Sequence, residues 1–345
     1  MARQRWRRLL IALFAVLSCA LLAAIGGYLW GEQRFRANGP HAEPKIVLLQ
    51  SGESLAQITR KLARAGVVAP GWLFHAGVRV AGRARALKAG EYAIPARASM
   101  ADIMALLVSG KVVQHQLTIP EGWRVPEIMA RLAATEPLTG PLPAAPREGS
   151  ILPETYLFIR GESRADLLAR MQAAQKRLLR ELWPVRAPDL PLATPWEAVI
   201  LASIVERETS VAAERPRVAG VFVNRLRKGM RLQSDPTVRY ALIAAGQPPA
   251  GPLTRQDLRF QSPYNSYQAD GLPPGPIANP GRAAIAAVLQ PERTDALYFV
   301  ADGDGGHVFA RSLSEHNANV ARYRKLMRAQ RAQRKTDPAA PAQAE

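Results

Sequence analysis

The chain has 345 residues, enough for two or three compact units with cores of their own. Its 46 Lys and Arg stand against 28 acidic residues, and the net charge of +18 suits an anionic partner such as a membrane surface, an anionic polymer or nucleic acid. One cysteine, Cys19, excludes a disulfide framework and any Cys-based metal site.

Residues 1–8 carry Arg3, Arg5, Arg7 and Arg8, and residues 9–30 that follow are uncharged and mostly Leu, Ala, Ile, Val and Phe. Such a run is long enough to cross roughly 30 Å of hydrocarbon as a helix. Tyr28 and Trp30 fall where an aromatic interface belt would lie, and Arg34 and Arg36 beyond it are offset by Glu32. The charge asymmetry predicts a single pass with the N-terminus in the cytoplasm and the body outside. A cleaved signal peptide is the alternative, but the run exceeds the usual apolar core of about 7–15 residues and no small-x-small site follows. With the body outside, nucleic acid is not expected as a partner, and no zinc finger or RNP-type strand is present. His41, His75, His115, His307 and His316 are scattered without paired zinc-ligand spacing, and no phosphate-cradling Gly-rich loop occurs, so neither metal nor cofactor is expected.

After a polar stalk over residues 31–44, residues 45–134 read as a small α/β subdomain. Ile46-Val47-Leu48-Leu49 predicts a strand, and Ser51-Gly52-Glu53-Ser54 opens a helix with Leu55, Ile58 and Leu62 on one face, stopped by Gly66. A second helix starts at Ser99 with Asp102 as its capping-box acid. The frame recurs at Ile119-Pro120-Glu121-Gly122-Trp123-Arg124-Val125, with Ile128 and Leu132 in the helical positions. This strand–Gly–helix frame resembles LysM-type sugar-binding modules, and a plain spacer is the alternative.

Residues 135–150 form a Pro/Gly-rich connector, residues 151–330 a second and mixed α+β domain, and residues 331–345 a disordered tail. Thr194-Pro195-Trp196-Glu197 is a strong helix start, with Thr as N-cap, Pro at the first position and Glu at the third. The segment then runs apolar nearly all round to Val205, which predicts a central buried helix. It ends on two carboxylates, Glu206 and Glu208, about 200° apart around the axis at 100° per residue. Periodicity does not choose between them. Either one, held against apolar neighbours, would have its pKa raised and could donate a proton near neutral pH. Pairing with Arg207, Arg215 or Arg217 is the competing structural use.

A further helix is predicted from about Pro216 to Arg227, ending at Gly229. Beyond it, amides, hydroxyls and tyrosines stand between Pro/Gly turns: Gln233-Ser234-Asp235-Pro236, Tyr240, Tyr264-Asn265-Ser266-Tyr267 and Gly271-Leu272-Pro273-Pro274-Gly275-Pro276-Ile277. Pro280-Gly281 opens another helix, and Leu297-Tyr298-Phe299-Val300 predicts a buried strand leading to a turn at Gly303-Asp304-Gly305-Gly306. Such a set suits a cleft that hydrogen-bonds sugar hydroxyls and stacks on pyranose faces.

Ala202-Ser203-Ile204-Val205-Glu206-Arg207-Glu208-Thr209, Val223-Asn224-Arg225-Leu226, Met230 to Val238, Tyr264 to Tyr267, Gly271 to Ile277 and Phe299-Val300-Ala301-Asp302-Gly303 together resemble the YceG-like endolytic murein transglycosylases. The resemblance implies an α+β protein with one N-terminal transmembrane helix, a LysM-like subdomain and a catalytic domain. It implies a lyase of the bacterial inner membrane that cuts peptidoglycan strands internally, at the β-1,4 link from N-acetylmuramic acid to N-acetylglucosamine, leaving 1,6-anhydromuramyl ends. It assigns the catalytic role, acid and then base, to Glu206, with Glu208 in support. Asn224, Gln233, Ser234, Asp235, Tyr240, Tyr264, Asn265 and Tyr267 become candidates for holding sugar. Peptidoglycan strands, the bilayer through residues 9–30, and peptidoglycan synthases with other elongation or division proteins are the implied partners. Two rival readings remain: a lysozyme-like hydrolase using Asp235 as a second carboxylate, and a non-catalytic wall-binding scaffold.

Overall fold

The computed structural model describes residues 2–336, with side chains over 6–330. Helix α1 (Ala2–Arg36) contains the apolar run and continues six residues beyond it. Its Trp6–Arg36 portion is long and apolar enough to cross a membrane, with a mean hydropathy of 2.7 in its most apolar window. The chain divides into two compact units, Met1–His115 with Leu157–Gly161, and Gln116–Tyr156 with Glu162–Glu345.

In the first unit β1 (Lys45–Leu49), α2 (Leu55–Arg64), α3 (Gly71–Val80), β2 (Gly90–Ile94) and α4 (Met100–Ser109) follow α1. Strands β1 and β2 pair antiparallel from Lys45 opposite Ile94 to Leu49 opposite Gly90. Alternation puts Val47 and Leu49 of β1 inward, against Ile58, Leu62, Phe74, Tyr92, Ile103 and Leu107. The capping boxes expected at Ser54 and Ser99 are both formed, with Gln57 and Asp102 as the returning side chains. The C-terminal part of α1 is packed onto this unit. Phe35 lies 6.3 Å from Phe74 ring to ring and presses on Gly77, where a methyl group would meet its ring at 2.4 Å.

Strand β3 (Gln114–Thr118) pairs with β4 (Thr155–Ile159). The second unit then comprises α5 (Val125–Ala133), α6 (Arg164–Leu182), α7 (Pro195–Glu208), α8 (Arg215–Arg227), α9 (Asp235–Ala244), α10 (Arg282–Leu289), the hairpin of β5 (Tyr298–Ala301) and β6 (His307–Ala310), and α11 (Leu313–Thr336). Helix α7 is the buried element, with every residue from Ala198 to Val205 buried, and it packs on α8, α9 and α10. Each of Val199, Ile200, Leu201, Ile204 and Val205 contributes about 1.5–3 kcal/mol by leaving water. That burial fixes where the two carboxylates at the helix end are delivered.

Several expectations change. The division falls at His115 rather than at residue 134, because α5 buries Val125, Ile128, Met129 and Leu132 within the second unit. The repeated frame is nevertheless present, since Gly52 and Gly122 both turn with left-handed φ, +83° and +75°. Residues 135–150 are built into the second unit rather than strung between domains: Leu138 is buried and Glu148 accepts from Val125 N–H at 2.9 Å. Strand β5 is half-buried, not buried. Asp235-Pro236, read as a turn, opens α9. Of the expected disordered tail, residues 331–336 continue α11 and residues 337–345 lie outside the described residues.

Gly220 marks the tightest packing around α8. A methyl group there would stand 2.5 Å from the Glu292 carbonyl oxygen and 3.0 Å from Thr294 Cγ2. Gly220→Ala is expected to lower stability by about 1–3 kcal/mol despite alanine's better helix propensity, read as a lower denaturant midpoint at unchanged m-value.

Candidate active site

Thr194 caps α7 as expected, its hydroxyl accepting from Glu197 N–H at 3.2 Å. At the other end Thr209 terminates the helix, and its side chain accepts from Val211 N–H at 3.0 Å. The last turn therefore holds Glu206 and Glu208 rigidly, and they enter different surroundings.

Glu206 is fully engaged. Arg215 Nη2 donates to its Oε1 at 3.0 Å, and the Gly281 N–H at the start of α10 donates to Oε2 at 2.9 Å. The same guanidinium reaches Glu121 Oε2 at 3.3 Å. Only 4% of the Glu206 side chain is exposed. Burial raises its pKa and so does the charge of Glu121, while the Gly281 N–H and Arg215 pull it down; the net direction is upward. With both oxygens taken, this carboxyl ties α7, α8 and α10 together.

Glu208 is held by one oxygen. Ser234 Oγ donates to Oε2 at 2.8 Å, and Oε1 makes no hydrogen bond among the described residues. The carboxyl lines a cleft of about 570 Å³ with Arg225, Gln233, Asp235, Tyr267, His316 and Asn317. Burial pushes its pKa up to about 7, reinforced by the charge of Asp235 and opposed by the Ser234 hydroxyl, His307 and Arg225.

The chain around Ser234 is locked by a compact hydroxyl network. Ser234 N–H donates to Ser266 Oγ at 2.9 Å, Thr237 Oγ1 donates to the Ser234 carbonyl at 2.6 Å, and Gln233 N–H reaches the Ser266 carbonyl at 3.1 Å. Gln233 adopts a left-handed φ of +49°, so this turn is held by its surroundings at some cost in strain. Tyr267 OH donates to Asp235 Oδ1 at 2.7 Å, which together with burial raises the tyrosine's pKa. Below the cleft Arg225, 7% exposed, donates to the Leu297 and Leu232 carbonyls at 2.7 Å each.

The structure thus gathers Glu208, Gln233, Ser234, Asp235 and Tyr267, and separates the rest. Asn224 spends its amide on the Thr294 and Ala296 carbonyls, at 2.6 and 3.2 Å. Asn265 is fully buried; it donates to the Leu258 and Phe260 carbonyls and accepts from Tyr267 N–H. Tyr240 and Tyr264 stand ring against ring at 4.8 Å, and neither lines the Glu208 cleft. Burial pushes Tyr240 up to about 12.

Arg225 and Glu148, passed over in the sequence, enter here, together with His316, one of the scattered histidines. Arg225 lay inside a quoted motif, and its place after the buried stretch of α8 was the available signal. His316 lines the cleft with its ring 5.2 Å from Tyr298, and burial lowers its pKa, so it is neutral at neutral pH. Glu148, hidden in a proline-rich segment, is a buried acid pushed up to about 7, chiefly by burial.

A carboxyl that is half protonated near pH 7, open on one oxygen to a polar cleft and followed on the chain by aromatic and amide groups, is suited to general acid catalysis on a neutral, hydroxyl-rich substrate. A family model described as the YceG-like family matches residues 47–322. A protein of Bacillus subtilis named endolytic murein transglycosylase is 29% identical over 330 residues, covering 86% of this chain and 90% of its own. One of the same name from Streptococcus pneumoniae is 29% identical over 320 residues, covering 80% of this chain; this chain spans 57% of that relative. A crystal structure of a putative YceG-like protein from Listeria monocytogenes superposes with a TM-score of 0.50 at 30% identity, over 80% of this chain and 99% of that one.

Proposed function

The chain belongs to the YceG-like family, and from that premise we propose that it is a peptidoglycan lytic transglycosylase whose proton donor is Glu208. The observation that carries the assignment is the asymmetry of the two carboxyls: Glu208 has one oxygen positioned by Ser234 and the other unbonded at a cleft, whereas both oxygens of Glu206 are consumed. The motif alone pointed to Glu206. Geometry favours transferring the role to its neighbour two residues on, with Glu206 keeping α10 and α8 in place.

The reaction needs one such group. Protonated Glu208 gives its proton to the glycosidic oxygen as the bond from the muramyl C1 breaks. The muramyl C6 hydroxyl attacks C1 from within the same sugar, and the carboxylate left on Glu208 accepts the hydroxyl proton. The product is a 1,6-anhydro ring, and no water is consumed. Because the nucleophile is already tethered, proximity supplies what an external water and a second carboxylate supply in ordinary glycosidases, a gain of several kcal/mol at roughly the lower end of the intramolecular range. Gln233, Asp235, Tyr267, His316 and Asn317 line the same cleft and are placed to hold sugar hydroxyls and acetamido groups.

In this reading residues 1–8 lie in the cytoplasm, the folded part in the periplasm and the enzyme at the inner membrane; the apolar length of α1 and the arginines that precede its apolar run support it. Cutting within nascent strands there would limit their length, in company with peptidoglycan synthases and other elongation or division proteins. Residues 45–115, with their β1–α2–α3–β2 frame, are the part suited to LysM-like glycan contact.

Incubating the full chain in detergent with uncrosslinked glycan and weighing the products tests the reaction. Anhydro ends, one water lighter than reducing ends, are expected. Reducing ends would support hydrolysis instead, a reading favoured by the charge of Asp235 felt at Glu208. No cleavage would leave a scaffold.

The acid must be protonated to act. With Glu208 at about 7, the rate is expected to fall as pH rises through 7, about tenfold per pH unit beyond it. A flat profile between pH 6 and 9 under single-turnover conditions would remove Glu208 from the chemical step.

A further inference from the structure

Helix α9 stands between two clefts. Its first residue, Asp235, lines the Glu208 cleft, while Pro236, Arg239 and Tyr240 line a second cleft of about 220 Å³. Arg207, which lies between the two glutamates on α7, and Arg124 with Glu127 complete its polar wall. Three arginines against one glutamate give this wall a formal charge of 3 − 1 = +2. Arg124 is occupied, since its Nη2 meets Glu127 Oε1 at 3.2 Å. Arg207 and Arg239 make no ion pair and no hydrogen bond among the described residues; the Asp257 carboxylate that feels the Arg239 charge is held instead by the Thr254 N–H and hydroxyl, each at 2.7 Å.

Elsewhere in the second unit Arg215, Arg231 and Arg282 each hold a carboxylate, while Arg177, Arg180, Arg255 and Arg293 hold none among the described residues; what sets Arg207 and Arg239 apart is that both line the same recess. Two unpaired forks converging on one recess are therefore available to an outside anion. Gly122 keeps the floor open: a methyl group there would crowd Arg207 Cδ at 3.2 Å, and its φ of +75° suits glycine.

We propose that this cleft binds a carboxylate of the acidic peptide stem borne by the muramyl residue whose glycan occupies the Glu208 cleft. The inference rests on the glycan reading of that neighbouring cleft. In a stem-bearing strand the lactyl carboxyl is tied up as an amide and the sugar backbone is uncharged, so two free guanidiniums have no use there, whereas the peptide itself carries carboxylates that match the Arg fork in shape and charge. One turn of α9 separates sugar from stem, so a single muramyl unit spans both recesses. The site thereby selects strands that still carry their peptides.

The test has a binding arm and a turnover arm, both on the full chain in detergent. In the first, Glu208→Gln protein, which stops turnover, is titrated calorimetrically with soluble tetrapeptide stem and separately with inorganic pyrophosphate. Saturable peptide binding that weakens with salt is expected, and it is lost in the Arg207→Gln/Arg239→Gln background. In the second, the Arg207→Gln/Arg239→Gln variant and wild type cut uncrosslinked strands with stems and the same strands stripped by an amidase. The variant is expected to show a KM about tenfold higher on stem-bearing strands, kcat within about twofold, and a KM change below about twofold on stripped strands, whose freed lactyl carboxylate sits on the sugar ring rather than out along the stem. Arg207→Lys/Arg239→Lys recovers part of the loss. Equal behaviour of variant and wild type on both substrates overturns the proposal, as does an equal loss on both, or binding of pyrophosphate without peptide. If wild type makes no anhydro ends, the glycan reading fails instead, and the peptide titration still decides the cleft.

Discussion

Glu208→Gln is expected to cut the rate of strand cleavage by about a thousandfold, within the range of 10² to 10⁴ that a general acid contributes, while the protein stays folded. Glutamine preserves the hydrogen bond to Ser234 in shape but has no proton of suitable acidity to give. Glu206→Gln is expected to retain activity within about tenfold and to lose stability instead, because the partly buried Arg215 guanidinium would lose the shorter of its two carboxylate partners and keep Glu121 alone, a cost of about 1–3 kcal/mol. Product masses and thermal unfolding of the two variants separate the roles. If Glu206→Gln is the inactive one and Glu208→Gln cuts normally, the assignment is overturned.

The same pair makes an opposite prediction about stability at alkaline pH. The folded-state pKa of Glu208, about 7, lies above its value of 4.5 in an unfolded chain. Its contribution to stability is fully present below 4.5 and is lost as pH rises through 7. At pH 8 the wild type holds a charge in a poorly hydrated place, and Glu208→Gln does not. The variant is therefore expected to melt above wild type at pH 8, with the gap closing towards pH 5.

Asn279→Ala should cost about 2–3 kcal/mol by chemical denaturation. Asn279 is fully buried, and its side chain joins three segments: Nδ2 donates to the Trp123 carbonyl at 3.0 Å and to Glu148 Oε1 at 2.7 Å, and Oδ1 accepts from Ile151 N–H at 3.1 Å. Truncation strands the Ile151 N–H, at about 1–3 kcal/mol, while the Trp123 carbonyl keeps the Asn279 backbone N–H and Glu148 keeps the Val125 N–H. Asn279→Asp, which keeps the acceptor and loses the donors, should fall between if Glu148 stays protonated. Loss of less than 1 kcal/mol in the alanine variant would mean that water replaces the amide.

Helix α7 was legible because its signals are local: Thr194, Pro195 and Glu197 mark its start, and seven apolar residues with one serine over 198–205 show that it is surrounded. Its period also gave the divergence of Glu206 and Glu208. The environment of each was not legible, because it is assembled from a distance. Ser234 comes from 26 residues away and the Gly281 N–H from 75, and no local pattern says which carboxyl meets which. Asp235-Pro236 misled because Pro at a first helical position and Pro in a turn look alike when the residues that follow, Arg239 and Tyr240, are polar. The 135–150 segment misled through composition: prolines there trace an ordered path over the second unit, and Glu148 is buried by residues more than 100 positions later.

Helix α1 runs without interruption from its apolar stretch to Arg36, and Phe35 seats its end against Phe74 and Gly77. With that helix set in a bilayer, the first unit has no leash on which to wander outward. It rides at a constant altitude over the lipid, so that polymer is met only while it is still close to where it emerges.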